Sequence, residues 1–330
     1  MERAVFVIAV TFAIIFGIVA FVGGPHMNFG NFGINIDDDH DAEAVLTVAP
    51  GQMAAQTFQG ASLKIEHAAA IITITPEDRA DISVEITNPG HAPMPTVTTD
   101  DGRVTVDGHL RGRISNCRED GVSLRGYGIV APADLPQITI HTPRALTVGV
   151  TGASTTTIGA AQSVDANLSG CGLTNIGDVA ETLTLQMAGS GDVHTGAAHA
   201  LNATIAGSSD VTTGAVADGA QIAVAGSGGI ELASVTGPLK TTGAGSGSIN
   251  IHGGSITTAK IDLAASGDVD IAAPVQSLDV SIVGSGDVDV AGAVGDIDAE
   301  IMGSGSVSVA SASGSVHKRV MGSGDVNIGH

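Results

Sequence analysis

The chain has 330 residues, enough for a membrane segment and one or two domains, and a formal net charge of −21. That charge excludes a nucleic-acid binder, whose phosphate contacts need clustered Lys and Arg, and opposes docking on anionic lipid. Aromatic residues are nearly missing, with one Tyr, no Trp and Phe58 as the one Phe beyond residue 40. A sugar-binding cleft built on aromatic platforms is therefore not expected.

Residues 4–22 form an apolar run whose one polar member is Thr11. At 1.5 Å per residue such a helix is about 28 Å long, which crosses a bilayer core. Arg3 precedes it and the next Lys or Arg is Lys64, so the positive-inside bias puts the rest of the chain outside the cytoplasm. The expectation is a single-pass anchor at residues 1–22, with residues 23–330 on the periplasmic or extracellular side. A cleaved signal peptide is the competing reading, disfavoured because no small-x-small cleavage site follows the run. Residues 23–43 read as a flexible, then acidic, linker. Asp37, Asp38, Asp39, His40 and Asp41 are solvated linker residues before they are metal ligands.

Residues 44–145 are rich in period-2 alternation, as in 63–67 (LKIEH), 71–75 (IITIT), 81–86 (DISVEI) and 137–141 (QITIH). Asp100-Asp101-Gly102 is a hairpin signal between two such runs. This segment reads as a β-rich cap, itself able to coil irregularly, because a stack of open coils exposes an unpaired edge.

From 146 to 330 one phrase repeats. GSGDV stands at 189–193, 284–288 and 322–326, with near copies starting at Gly207, Gly226, Gly245, Ala265 and Gly303. Two degenerate copies start at Gly152 and Gly170, and successive starts are 18 to 20 residues apart. Apolar residues alternate on both sides of each copy, for example Leu183, Leu185, Met187 before and Val288, Val290 after. Two short strands meet at a glycine corner, and neither can bury its apolar face alone. Stacking the coils buries both, so the pattern predicts a parallel β-solenoid of about ten coils.

The outward corner positions are the candidate sites. Asp268, Asp270, Asp287 and Asp289 place four carboxylates on adjacent coils, an oxygen set that suits calcium. The stronger reading is that each Asp accepts hydrogen bonds from corner amides. No other cofactor is expected. Cys117 and Cys171 are an even pair outside the cytoplasm, and are expected to form a disulfide joining cap to solenoid, contributing about 3–4 kcal/mol. No Ser-His-Asp, HExxH, CxxC or phosphate-loop arrangement is present, and the corners are followed by neither helix nor Lys.

The apolar N-terminus, the strand at 63–67 and the serial GSGDV corners together resemble the bacterial family described as putative auto-transporter adhesin, head GIN domain, over roughly residues 55–328. The resemblance implies an all-β, right-handed coiled head displayed outside the cytoplasm, and carries no assigned site residues. The expected function is a membrane-anchored structural or adhesin-like module, not an enzyme. Its partners would be the membrane through residues 4–22 and, through the solenoid, envelope components or further copies of itself. The alternative is an enzyme on an envelope polysaccharide using Asp268, Asp270, Asp287 or Asp289.

Overall fold

A computed structural model describes residues 48–118 and 120–329. The predicted anchor and acidic linker fall outside them; among the described residues no helix is long and apolar enough to cross a membrane. The described chain is all-β apart from one 3-10 turn at Pro132–Asp134.

The repeat region forms the expected solenoid. Strand pairs stack in parallel at a near-constant offset, for instance Ala198–Gly207 on Ala220–Gly226 and Val288–Gly303 on Ser306–Ala312. The register puts like residues over like. One interior column runs Val148, Ala166, Leu185, Ala203, Ile222, Thr241, Ile261, Val280, Ala299. The first of these and the last are 0 % exposed, so the column is a dry core along its length. The small aliphatic composition follows: opposed strands this close leave room for Val, Ile, Leu and Ala but not for aromatic rings.

The corner shows why the phrase begins with glycine. Ten successive first residues, Gly152 to Gly322, all have positive φ, from 118° at Gly207 to 142° at Gly303. A Cβ on Gly226 would lie 2.2 Å from the Gly207 carbonyl oxygen of the coil below. That oxygen is also the acceptor for the amides of Ser227, at 2.9 Å, and Gly228, at 3.1 Å. Glycine permits the φ and leaves the space in which one coil's carbonyl takes two amides of the next. Ala265 is the exception, a side-chain-bearing residue at φ 119°.

The segment read as a cap is partly solenoid. Strands β1 (Gly51–Phe58), β2 (Ser62–Glu77), β3 (Ile82–Asn88), β4 (Thr96–Asp100) and β5 (Arg103–Asp107) precede a small sheet of β6 (Ile114–Arg118), β7 (Gly121–Leu124) and β8 (Gly128–Val130). Then come β9 (Gln137–Pro143) and β10 (Ala145–Ile158). β2 is a full coil, parallel to β10 on one side and to β5 and β9 on the other. The edge is closed by antiparallel strands: β4 on β5, β3 on β9 and β1 on β3. The hairpin signal holds, with Asp100 opposite Arg103 and positive φ at Asp101 (45°) and Gly102 (73°).

The β6–β8 meander is inserted between β5 and β9. Leu110, Val122, Leu124, Val130 and Leu135 form its own small core against Ala69 and Ala153 of the first coils. Cys117 and Cys171 are bonded, with Cα atoms 6.1 Å apart, as parity and compartment predicted. Cys171 takes the place that Ser190 or Ser227 holds in other corners, so the bridge pins the insertion to the corner column.

At the far end of the described residues, strand Val316–Gly322 pairs, among those residues, with Val288–Gly303 alone. Its Val316 and Val320 are each 38 % exposed, and Lys318 stands over Ala299, at the next place in the interior column.

Candidate functional site

Two sets of polar side chains stand out, both in the corner column. The first is the aspartate series of the repeats. Asp210 accepts a hydrogen bond from the Gly229 amide at 2.8 Å, and Asp268 from the Asp287 amide at 3.0 Å. Asp287 accepts from the amide and the hydroxyl of Ser306, both at 2.7 Å. Asp178 with Ala197, and Asp296 with Ser315, repeat the arrangement at the second bend. In each case donor and acceptor are 19 residues apart, so a carboxylate on one coil holds an amide of the next. Asp268 and Asp287 therefore each commit an oxygen to coil stacking.

Asp270 and Asp289 are direct register partners on neighbouring coils. Partial burial pushes the Asp270 carboxyl above its ordinary value, and the charges of Asp289 and Asp268 add to the effect. The structure thus brings the four predicted carboxylates onto adjacent coils, with two of them bonded to backbone.

The second set was not anticipated. Glu66 and His67 end the first half of β2, and Asp107 ends β5, opposite Glu66 in register. The chain bulges there: the pairing of β2 with β10 slips between Val150 and Gly152, and His67 has φ 50°. Ligand-type atoms of Glu66, His67 and Asp107 all lie within 4.8 Å of one another, the one such grouping of three or more His, Cys, Asp or Glu among the described residues. His67 Nδ1 is 3.3 Å from Asp107 Oδ1, and His109 Nδ1 is 3.8 Å from Asp107 Oδ2. Lys64 Nζ meets Glu66 Oε2 at 2.5 Å, and Arg111 Nε donates to His67 Nε2 at 3.2 Å. Partial burial pushes the Asp107 carboxyl up, but hydrogen bonds from the His109 amide and the His67 ring outweigh it and hold it below its ordinary value. Sequence reading missed this group because its halves are 40 residues apart and outside the repeat. The signal was local: Glu66-His67 and Asp107-Gly108-His109 each close an alternating strand where later coils place their glycine corner.

A cavity of about 30 Å³ lies inside the corner near Gly170 and Gly191. An open groove of about 620 Å³ runs over Ala160, Ala161, Ala180, Ala197 and Ala198, with Arg144, Asp178 and His199 on its walls. Its charges are already engaged: Arg144 with Asp78 at 2.5 Å, and Asp178 with the Ala197 amide at 2.8 Å.

No curated protein matches this chain. Among solved structures it is similar to a putative adhesin from Parabacteroides distasonis, at 14 % identity over 83 % of this chain and 95 % of that one, with a TM-score of 0.42. A putative lipid binding protein from the same species shows 16 % identity over 83 % and 96 %, with a TM-score of 0.39. A putative adhesin from Parabacteroides merdae shows 15 % over 83 % and 95 %, with a TM-score of 0.33. A family model matches residues 184–294, which carry the six corners from Gly189 to Gly284. Over that stretch the chain matches the model of the family described as putative auto-transporter adhesin, head GIN domain.

Proposed function

We propose that the chain is a structural, adhesin-like binding module, held outside the cytoplasm by its N-terminal apolar segment and presenting its solenoid to components of the bacterial envelope. The observation that carries this reading is the family match over residues 184–294. The chemistry agrees with it. Asp210, Asp268 and Asp287 are committed to coil stacking, and the open groove near Arg144 has an alanine floor with Arg144 and Asp178 already engaged. The outward columns offer regularly spaced polar groups at about 4.8 Å intervals, a surface suited to extended contact rather than to enclosing a small substrate.

Labelled head, residues 44–330, added to isolated envelope fractions is expected to bind saturably and to be displaced by unlabelled head. Non-saturable association at every concentration would remove the reading. Release of soluble saccharide in proportion to added protein, lost in Asp270→Asn/Asp289→Asn, would replace it with the polysaccharide-acting enzyme.

A further inference from the structure

We propose that His67, Asp107, Glu66 and His109 form a binding site for one first-row divalent cation, with zinc the best match. The inference is independent of the adhesive reading.

Spacing is the first argument. Two ligand atoms each 2.0–2.1 Å from a tetrahedral ion lie about 3.3 Å apart. His67 Nδ1 and Asp107 Oδ1 are separated by 3.3 Å. A directly bonded histidine–carboxylate pair in the same molecule is much closer, with His141 Nδ1 and Glu77 Oε1 at 2.7 Å. The His67–Asp107 gap is long for a charge-assisted hydrogen bond and right for two ligands sharing an ion. Glu66 supplies a third atom inside the same 4.8 Å sphere. His109 lies outside that grouping, with Nδ1 3.8 Å from the other Asp107 oxygen and Nε2 3.0 Å from the Thr96 hydroxyl, so its ring must turn toward the ion to become the fourth.

Ligand type is the second argument. Two imidazoles with two carboxylates suit zinc and its first-row neighbours, whereas calcium takes oxygen alone. Access is adequate, because the His67 and Asp107 side chains are 23 % and 34 % exposed.

The two cations at the site can leave. Arg111 donates to His67 Nε2, so in the metal-free protein the ring proton sits on Nδ1, facing Asp107. An ion at Nδ1 moves that proton to Nε2 and releases the exposed Arg111 to solvent. Lys64, 41 % exposed, releases Glu66 in the same way. The backbone already holds both rings toward the carboxylate, with His67 at φ 50° and His109 at φ 59°. Two histidines in a sparsely occupied conformation on either side of one aspartate cost stability, and a shared ligand gives that arrangement a use.

The test is zinc titration of the full chain by calorimetry, with cobalt absorption as the geometric readout. Asp107→Asn keeps an oxygen for the His109 amide, and His67→Asn suits a left-handed backbone, so both variants are expected to fold, with metal-free melting temperatures only slightly below wild type from the lost carboxylate–imidazole contact. Wild type is expected to take up one more zinc ion per chain than either variant, or to bind it about ten-fold or more tightly. It should also show a tetrahedral cobalt spectrum that both variants lack. Equal zinc stoichiometry and affinity in all three chains would overturn the proposal, including the case in which all bound zinc resides at His40 and its neighbouring aspartates.

Discussion

At the scale of the residue, the corner glycine answers to two demands at once, a positive φ and a carbonyl a little over 2 Å from where a Cβ would stand. Ala265 meets the first demand under strain, since a side chain in that region costs roughly 1–2 kcal/mol. Ala265→Gly is expected to stabilise the protein by about 1 kcal/mol in urea unfolding, after glycine's greater freedom in the unfolded chain is deducted. Gly284→Ala should do the opposite, costing about 3 kcal/mol or more, because its Cβ would fall 2.2 Å from the Ala265 carbonyl oxygen. Asp262 makes a pH-dependent case. Burial pushes its carboxyl above the ordinary value of 3.8, helped by Asp279 and opposed by Lys260 and Lys240. A raised value means that the folded state holds the proton more tightly than the unfolded one. Stability from this group is then present below 3.8 and lost as pH rises through the raised value. Asp262→Asn should therefore raise the melting temperature at pH 7, with the difference closing as pH falls below 3.8.

At the scale of the element, stacking is tolerant of composition but not of polarity. Thr241 occupies the interior column between Ile222 and Ile261, is 0 % exposed, and its hydroxyl has no partner. Thr241→Val keeps the shape and removes the stranded hydroxyl, so chemical unfolding should show a gain of about 1 kcal/mol. Coils of this kind were legible in the sequence because period 19, glycine spacing and two-residue alternation all report the same geometry. The disulfide was legible from parity and compartment, and the Asp100–Gly102 hairpin from its turn residues. The order of the first coils was not. β2 lies between β10 and the β5/β9 coil, so neighbours in space are not neighbours in sequence, and no alternation pattern records that. The histidine–carboxylate group was hidden for the same reason, since it exists only once β5 has been laid beside β2. Sequence alternation likewise left the β6–β8 insertion unread, because its small core draws on residues of two separate coils.

At the scale of the whole molecule, the far end of the solenoid carries a charge in its core column. Lys318 follows Ala299 in register, flanked by Val316 and Val320, which continue the apolar pattern. Any further coil laid on this strand, from whatever source, would have to enclose the ammonium group, at a cost of several kcal/mol. An inward-pointing charge on an open strand is a known guard against edge-to-edge pairing. Lys318→Val should remove that guard: sedimentation is expected to show larger species at concentrations where the wild-type chain does not change. Identical sedimentation of the two chains would mean that the end is closed by something other than this charge.

The disulfide between Cys117 and Cys171 has a mechanical consequence. Hydrogen bonds between coils run along the axis, so a pull on the far end loads them one row at a time, and the thread should peel off winding by winding. Each winding of 18 to 20 residues would release about 60 Å of slack at the contour length of an extended chain. The sulfur bridge is a stop on that spool: in single-molecule stretching from the last residue, unwinding should halt at residue 171, and run on past it once a reductant is added.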